Sequence, residues 1–171
     1  MDLGGPSRRA VLARLAAAQG SAVSTDLLIE DLWSDGPPPK ALAALQVHVS
    51  YLRRTLEPGR RARTPAGVLV SEPPGYALNL PETAVDAWHF EALVGRGLEA
   101  VDPALRVGLF ERALEVWTGP PFQELADTEW ARPAITRLQE LRRTALEEHA
   151  RSTLALGNPE SAAALRGRAT T

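Results

Sequence analysis

Leu45-Gln46-Val47-His48-Val49-Ser50-Tyr51-Leu52-Arg53-Arg54-Thr55-Leu56 is the stretch on which the fold turns. With Leu45 set at zero and about 100 degrees per residue, Leu42, Val49, Leu52 and Leu56 fall within about 60 degrees of it, and Ala41 and His48 lie on the other edge. Lys40, Ala43, Val47, Ser50 and Arg54 take the opposite face. Gln46 and Arg53 flank that face on one side, Ala44 and Tyr51 on the other. The spacing predicts a helix over Lys40–Leu56, stopped by Pro58-Gly59. Its outward side is small, polar and basic.

Two shorter helices are expected before it. Pro6–Gln19 carries Val11, Leu12, Leu15 and Ala18 at helical spacing, opens with Pro6 in a first turn and ends at Gly20. Ser24–Trp33 begins with Ser24 or Thr25 as cap, has Asp26 in its first turn, and forms its apolar face from Leu27, Leu28 and Leu32. The run Ser34-Asp35-Gly36-Pro37-Pro38-Pro39 cannot stay helical and predicts a loop. After the long helix the period changes. Arg60-Arg61-Ala62-Arg63 is a basic loop, Val68-Leu69-Val70 a short strand, Glu72-Pro73-Pro74-Gly75 a turn and Tyr76–Leu80 a second strand. Tyr76, Leu78 and Leu80 alternate onto one face, so a β-hairpin is expected.

From Pro81 on the pattern is helical. Asp86 is expected to cap a helix to about Val101, Asp102-Pro103 opens another through Trp117, and Gly119-Pro120-Pro121 breaks it. A third helical stretch spans Thr128–Leu156, bent near Pro133, and a last one starts at Glu160. Helix pairs joined by short turns suggest a helical-repeat module. Trp33, Trp88, Trp117 and Trp130 suit packing anchors, and His48, on the edge of an apolar face, suits a structural role.

Composition narrows the functions available. The 171 residues suit one ordinary domain or two small ones, and 44% hydrophobic with 23% charged residues is globular. Without cysteine there is no disulfide, thiolate metal site or cysteine nucleophile. The three histidines (His48, His89, His149) have no helical ligand spacing, so no zinc site is expected. No phosphate-cradling glycine loop or nucleophile elbow is present, and Glu140, Glu147 and Glu148 suit a solvated face. A non-enzymatic protein without cofactor or metal is expected. The apolar runs are too short and too interrupted by charge for a membrane span, and Met1–Gly20 has arginines where a signal peptide needs an unbroken apolar stretch. A cytoplasmic, nucleoid-associated location is expected. Residues 1–80 carry nine basic and seven acidic side chains, a balance of +2, and residues 81–171 ten basic and fourteen acidic, a balance of −4. That asymmetry suggests two modules with different partners.

Three helices followed by a hairpin is the order of a winged helix-turn-helix, whose third helix enters a major groove about 12 Å wide. Lys40 and Arg54 suit phosphates or guanine edges, Gln46 an adenine and Val47 a thymine methyl. Arg60, Arg61 and Arg63 are placed to meet phosphates. The segment Leu45–Leu56 resembles the recognition-helix signature of the SARP/AfsR transcriptional regulators of actinobacteria. Leu3–Ala10, Leu27–Trp33 and Pro73–Leu78 resemble that family's first helix, second helix and wing. Val85–Phe90 and Arg112–Pro120 resemble its bacterial transcriptional activation domain, a tetratricopeptide-like helical module. The resemblance implies a mainly α protein: an OmpR-type winged helix-turn-helix (three helices plus a C-terminal β-hairpin) at 1–80 and an activation domain at 84–171. It also implies an activator that binds direct repeats near promoters, often of secondary-metabolite genes, and recruits RNA polymerase.

Lys40, Ala43, Gln46, Val47, Ser50, Arg53, Arg54, Arg60, Arg61 and Arg63 are therefore the expected DNA-binding residues. Double-stranded DNA, RNA polymerase subunits and a second copy of the chain are the expected partners. Bland alternatives stand beside these roles. Arg53 and Arg54 are also consistent with solvated arginines, and Arg53, nearer the core edge, with a packed stem. Gln46 and Val47 also suit a plain surface, and Ala43 a helix former. OmpR-type domains begin with a small sheet, but only Met1–Gly5 precede the first helix, so that sheet is expected to be largely missing and the activation domain shortened at its end. This motivates the other functional reading: a helical protein-interaction module that does not bind DNA and competes with full-length relatives.

Overall fold

A computed structural model describes residues 3–33, 36–61 and 64–157. Within them the order is α1 (Pro6–Ala17), β1 (Val23–Ser24), α2 (Thr25–Leu32), α3 (Ala41–Leu56), β2 (Leu69–Glu72), β3 (Gly75–Leu78), α4 (Asp86–Glu99), α5 (Pro103–Val116) and α6 (Ala131–Gly157), with single 3-10 turns at Glu82–Ala84 and Gln123–Leu125. The chain divides into two compact units. One comprises the chain up to Pro81 together with Phe122–Ala134, the other Glu82–Pro121 together with the chain from Ile135 on. The helix expected from Glu160 lies outside the described residues. No helix among them is long and apolar enough to cross a membrane.

In the first unit, α1 starts with Pro6 in its first turn, where a missing N–H costs no hydrogen bond. It ends at Ala17 rather than Gln19 because Gln19 and Gly20 both take left-handed backbone, which stops the helical ladder. α2 is capped by Ser24, whose Oγ accepts from the Leu27 N–H at 3.2 Å. Leu28 of α2 is buried, whereas Leu27, expected on the apolar face, points outward. α3 buries Ala41, Leu45, Val49 and Leu52 against α1, α2 and β2. Leu42, assigned to that face, is 50% exposed. It sits about 60 degrees off the buried line, at the limit of the arc its neighbours cover.

The sheet is where structure and expectation diverge most. The strand order is β1-β3-β2, antiparallel throughout, with Leu69 opposite Leu78, Glu72 opposite Gly75 and Val23 opposite Tyr76. The turn shrinks to Pro73-Pro74, which are joined by a cis peptide bond, and the first strand runs on to Glu72. β1 has no counterpart among the expected elements, since two residues carry no periodicity. It is held by its ladder and by the Thr25 N–H, which donates to the Pro74 carbonyl at 3.3 Å. Ala77 and Leu78, on opposite faces of β3, are both buried, whereas Tyr76 and Leu80, expected on one face with Leu78, are only half-buried. Gly75 lets β1 pair with β3: a Cβ there would collide with the Val23 carbonyl oxygen.

In the second unit Phe90, Leu93 and Val94 of α4, Phe110 and Ala113 of α5, and Leu138, Ala145 and Ala155 of α6 are buried. Gly97 lets α5 approach α4, since a Cβ there would lie 2.7 Å from the Phe110 ring. Asp102 caps α5 as expected, accepting from the Ala104 N–H at 3.2 Å. Asp86 does not cap α4. Val85 holds the cap position, and the Asp86 carboxylate, one residue inside, accepts from the Ala87 N–H at 2.8 Å. α6 starts at Ala131 rather than Thr128, whose hydroxyl instead closes a turn onto the Leu125 carbonyl at 2.6 Å. Pro133 consequently stands in the first turn, where it needs no bend. Arg106 of α5 and Glu148 of α6 form a largely buried ion pair at 2.8 Å.

A Gly75→Ala substitution is expected to cost about 1–3 kcal/mol by forcing β1 off β3. Gly95→Ala in α4 has open space and should be neutral or stabilising by up to about 1 kcal/mol. Urea unfolding of both variants, followed by circular dichroism, measures the contrast.

Candidate nucleic-acid interface

The outward side of α3 follows from its buried side. With Leu45, Val49 and Leu52 locked into the core, Ala43, Gln46, Val47, Ser50 and Arg54 are all exposed, and Val47 is 59% exposed. Lys40 is exposed too, as the residue that precedes the helix at its N-cap. Small side chains at 43 and 50 leave the backbone approachable between Gln46, Val47 and Arg54. Such a surface fits a groove lined with hydrogen-bonding edges and thymine methyls better than it fits an apolar partner.

Arg53 and Arg54 are sequence neighbours with separate surroundings. Arg54 projects outward and has no intramolecular partner among the described residues. Arg53 is half-buried. Its Nε donates to the Leu69 carbonyl and its Nη2 to the Ser71 hydroxyl, both at 2.8 Å. Its guanidinium also lies 5.7 Å from the centre of the Tyr76 ring. Arg53 thus ties α3 to the hairpin and sets where the wing stands relative to the helix. The loop between them is pinned as well: Glu57 accepts from the Gly67 N–H at 2.9 Å, and the Asn79 amide donates to the Gly67 carbonyl at 3.0 Å. Arg60 turns into this loop, donating to the Thr64 carbonyl, while Arg61 is exposed. Arg63 lies outside the described residues. The structure therefore brings Ala43, Gln46, Val47, Ser50 and Arg54 onto one face, with Lys40 at its N-terminal end, and uses Arg53 and Arg60 at least partly to hold the scaffold.

α3 is braced from behind. The Arg8 guanidinium of α1 stacks 3.7 Å from the centre of the Tyr51 ring. Trp33 stacks on His48, ring centres 6.5 Å apart. The His48 Nδ1 is buried without a hydrogen-bond partner. Burial, and secondarily the nearby Arg8 charge, lowers the His48 pKa below its usual value, so the ring is neutral at pH 7. On α1, Arg14 pairs with Asp31 of α2 at 2.6 Å and lies 5.6 Å from the centre of the Trp130 ring, while Arg9 pairs with Glu124 at 2.8 Å. These last interactions dock the segment 122–134 on the first unit. They are not legible in the sequence, because nothing local ties Glu124 or Trp130 to a helix more than a hundred residues earlier. Among the described residues no cluster of three or more His, Asp or Glu is disposed to hold a metal ion.

Two known families match successive parts of the chain. Residues 85–171 match the family described as bacterial transcriptional activator domain, and residues 4–78 match transcriptional regulatory protein, C terminal. The transcriptional regulatory protein EmbR of Mycobacterium tuberculosis is 35% identical over 161 residues, covering 90% of this chain and 40% of that protein. The transcriptional regulator RedD of Streptomyces coelicolor is 35% identical over 142 residues, 82% of this chain and 41% of that protein. The regulatory protein DnrI of Streptomyces peucetius is 31% identical over 155 residues, 87% of this chain and 57% of that protein. The chain thus spans about 40% of the length of EmbR and RedD. The solved structure of M. tuberculosis EmbR in complex with a low-affinity phosphopeptide superposes with a TM-score of 0.81 at 32% identity, over 94% of this chain and 43% of that one.

The His48 environment sets a pH dependence. The unfolded chain has the ordinary histidine pKa near 6.5, the folded chain a lower one. The unfolded state therefore binds more protons in the window below 6.5, and stability, full above it, falls as the pH drops through it. The urea midpoint of the wild type should fall between pH 7.5 and pH 5.5 by more than that of His48→Gln. Equal falls would remove His48 as the cause.

Proposed function

Because the chain belongs to the bacterial transcriptional activator domain family, and joins that domain to an OmpR-type regulatory domain as in the SARP-type regulators, we propose that it is a sequence-specific DNA-binding activator of transcription. It binds direct repeats near promoters with α3 in the major groove, and it recruits RNA polymerase through its helical unit. The observation that supports this reading is the one-sided burial of α3, which leaves a polar, small-residue face carrying the unpaired Arg54.

On that reading Gln46 pairs with an adenine edge and Val47 touches a thymine methyl. Ala43 and Ser50 allow close approach. Lys40 and Arg54 meet phosphates or a guanine edge. Arg53 spends two donors on the hairpin and offers its remaining N–H groups to the backbone from a fixed position. Arg61 and Arg63 meet phosphates, and Arg60 offers them the N–H groups that its bond to the Thr64 carbonyl leaves over. The acidic helical half, repelled by phosphates, is the protein-facing side: RNA polymerase subunits, or a second copy across two half-sites. The activity is binding and recruitment rather than catalysis, and the family resemblance makes secondary-metabolite genes the first targets to test.

Gel-shift titrations on direct-repeat promoter DNA across a salt series test the proposal. Arg54→Ala should weaken binding by about tenfold or more without lowering stability, and the salt slope should drop by about one for each phosphate left unneutralised. Arg53→Ala should lose both affinity and stability, because it also releases the hairpin. Wild-type binding by Arg54→Ala and Gln46→Ala alike would remove α3 as the reading helix. Co-purification with a full-length relative without any shift at low salt would favour the competitor reading.

A further inference from the structure

The helical unit carries a groove that neither its core nor the DNA-binding reading uses. It measures about 460 Å³ and is lined by Trp117–Pro121 from the turn after α5, with Gln139 and Arg142 from α6. The Trp117 ring is a fixed wall, because the buried Phe90 meets it edge-on with ring centres 5.1 Å apart. The Arg142 guanidinium lies 5.4 Å from the centre of that ring. Arg142 is exposed and has no carboxylate partner among the described residues. The other arginines of α6 from Ile135 on are paired: Arg137 with Glu91, Arg143 with Glu140 and Glu147, and Arg151 with Glu148.

From this juxtaposition we infer that the groove is a docking site for an extended segment of a partner protein that carries one carboxylate side chain beside an apolar residue. The charge on Arg142 is uncompensated, and stacking on the indole limits the freedom it would lose on binding. A carboxylate takes two parallel N–H donors from a guanidinium. Gln139, one turn back on the same helix, offers an amide donor and acceptor to a peptide backbone. Pro120-Pro121, beside the Trp117 indole, supplies an apolar wall for an aliphatic side chain. A nucleic-acid strand fits poorly, since Arg142 alone of the lining residues is cationic and residues 81–171 carry a balance of −4. The inference goes beyond promoter binding and is measured without DNA, so its failure leaves that reading untouched.

The test uses the whole chain and a panel of capped five-residue peptides, each with a single glutamate flanked by leucine and proline in varied order. Counterparts carry glutamine in place of the glutamate. Binding is read from the indole N–H resonance of Trp117, assigned with Trp117→Phe. At least one glutamate peptide should shift this resonance saturably, and its glutamine counterpart should bind about tenfold more weakly. Arg142→Gln should lose the same factor, while Arg143→Gln, at a cation already neutralised, should bind as wild type. The proposal is overturned if no peptide of the panel moves Trp117. It is equally overturned if the glutamine peptides bind as well as the glutamate ones, or if Arg142→Gln binds like the wild type.

Discussion

A helix can offer one side to a partner only if its other side is held in a fixed rotation. In α3 that holding falls to Leu45, Val49 and Leu52, three side chains at helical spacing that are almost wholly out of water. Each such burial stabilises by roughly 1.5–3 kcal/mol, and together they also forbid rotation, since turning the helix would expose all three at once. Everything on the opposite side inherits its direction from them. The remaining interactions fix what burial leaves free: Arg8 on Tyr51 and Trp33 on His48 brace the edges of the helix, and Arg53 fixes the hairpin against its last turns.

The basic residues of the front half divide by this logic. Arg8, Arg9, Arg14, Arg53 and Arg60 bond or stack within the first unit, whereas Lys40, Arg54 and Arg61 have no such partner among the described residues. Net charge alone therefore overstates the surface available to an anion. The Arg14–Asp31 pair is largely buried, so its loss would strand an uncompensated charge, while the Arg9–Glu124 pair is solvent-exposed and contributes little by itself. A charge count distinguishes none of these roles; the packing of each guanidinium does.

Much of this architecture is legible in the sequence. Capping residues, periodicity and terminal proline and glycine mark α2 and α3, and the outward face of α3 follows from the same periodicity. What is not legible depends on interactions between distant segments. β1 is only two residues long and pairs with Gly75 and Tyr76, far along the sequence, so nothing local marks it. Leu42 and Leu27 sit at the margins of apolar arcs, where a wheel cannot say how far neighbouring elements reach. The angle of Arg53 places it at the core edge, but its bonds to Leu69 and Ser71 follow only once the hairpin register is known.

The segment 122–134 has a consequence for how such chains are inherited. It lies inside the stretch that matches the activator domain, yet it packs with the unit that holds α3. Recombination that exchanged genes for the two domains at residue 81 would bring in a foreign strap, whose counterparts of Glu124 and Trp130 had never met this chain's Arg9 and Arg14. A single crossover at residue 81 of this chain therefore alters contacts inside the front unit itself, even when both exchanged halves are sound. The α1 arginines and the strap that covers them should travel through descent as one linked character.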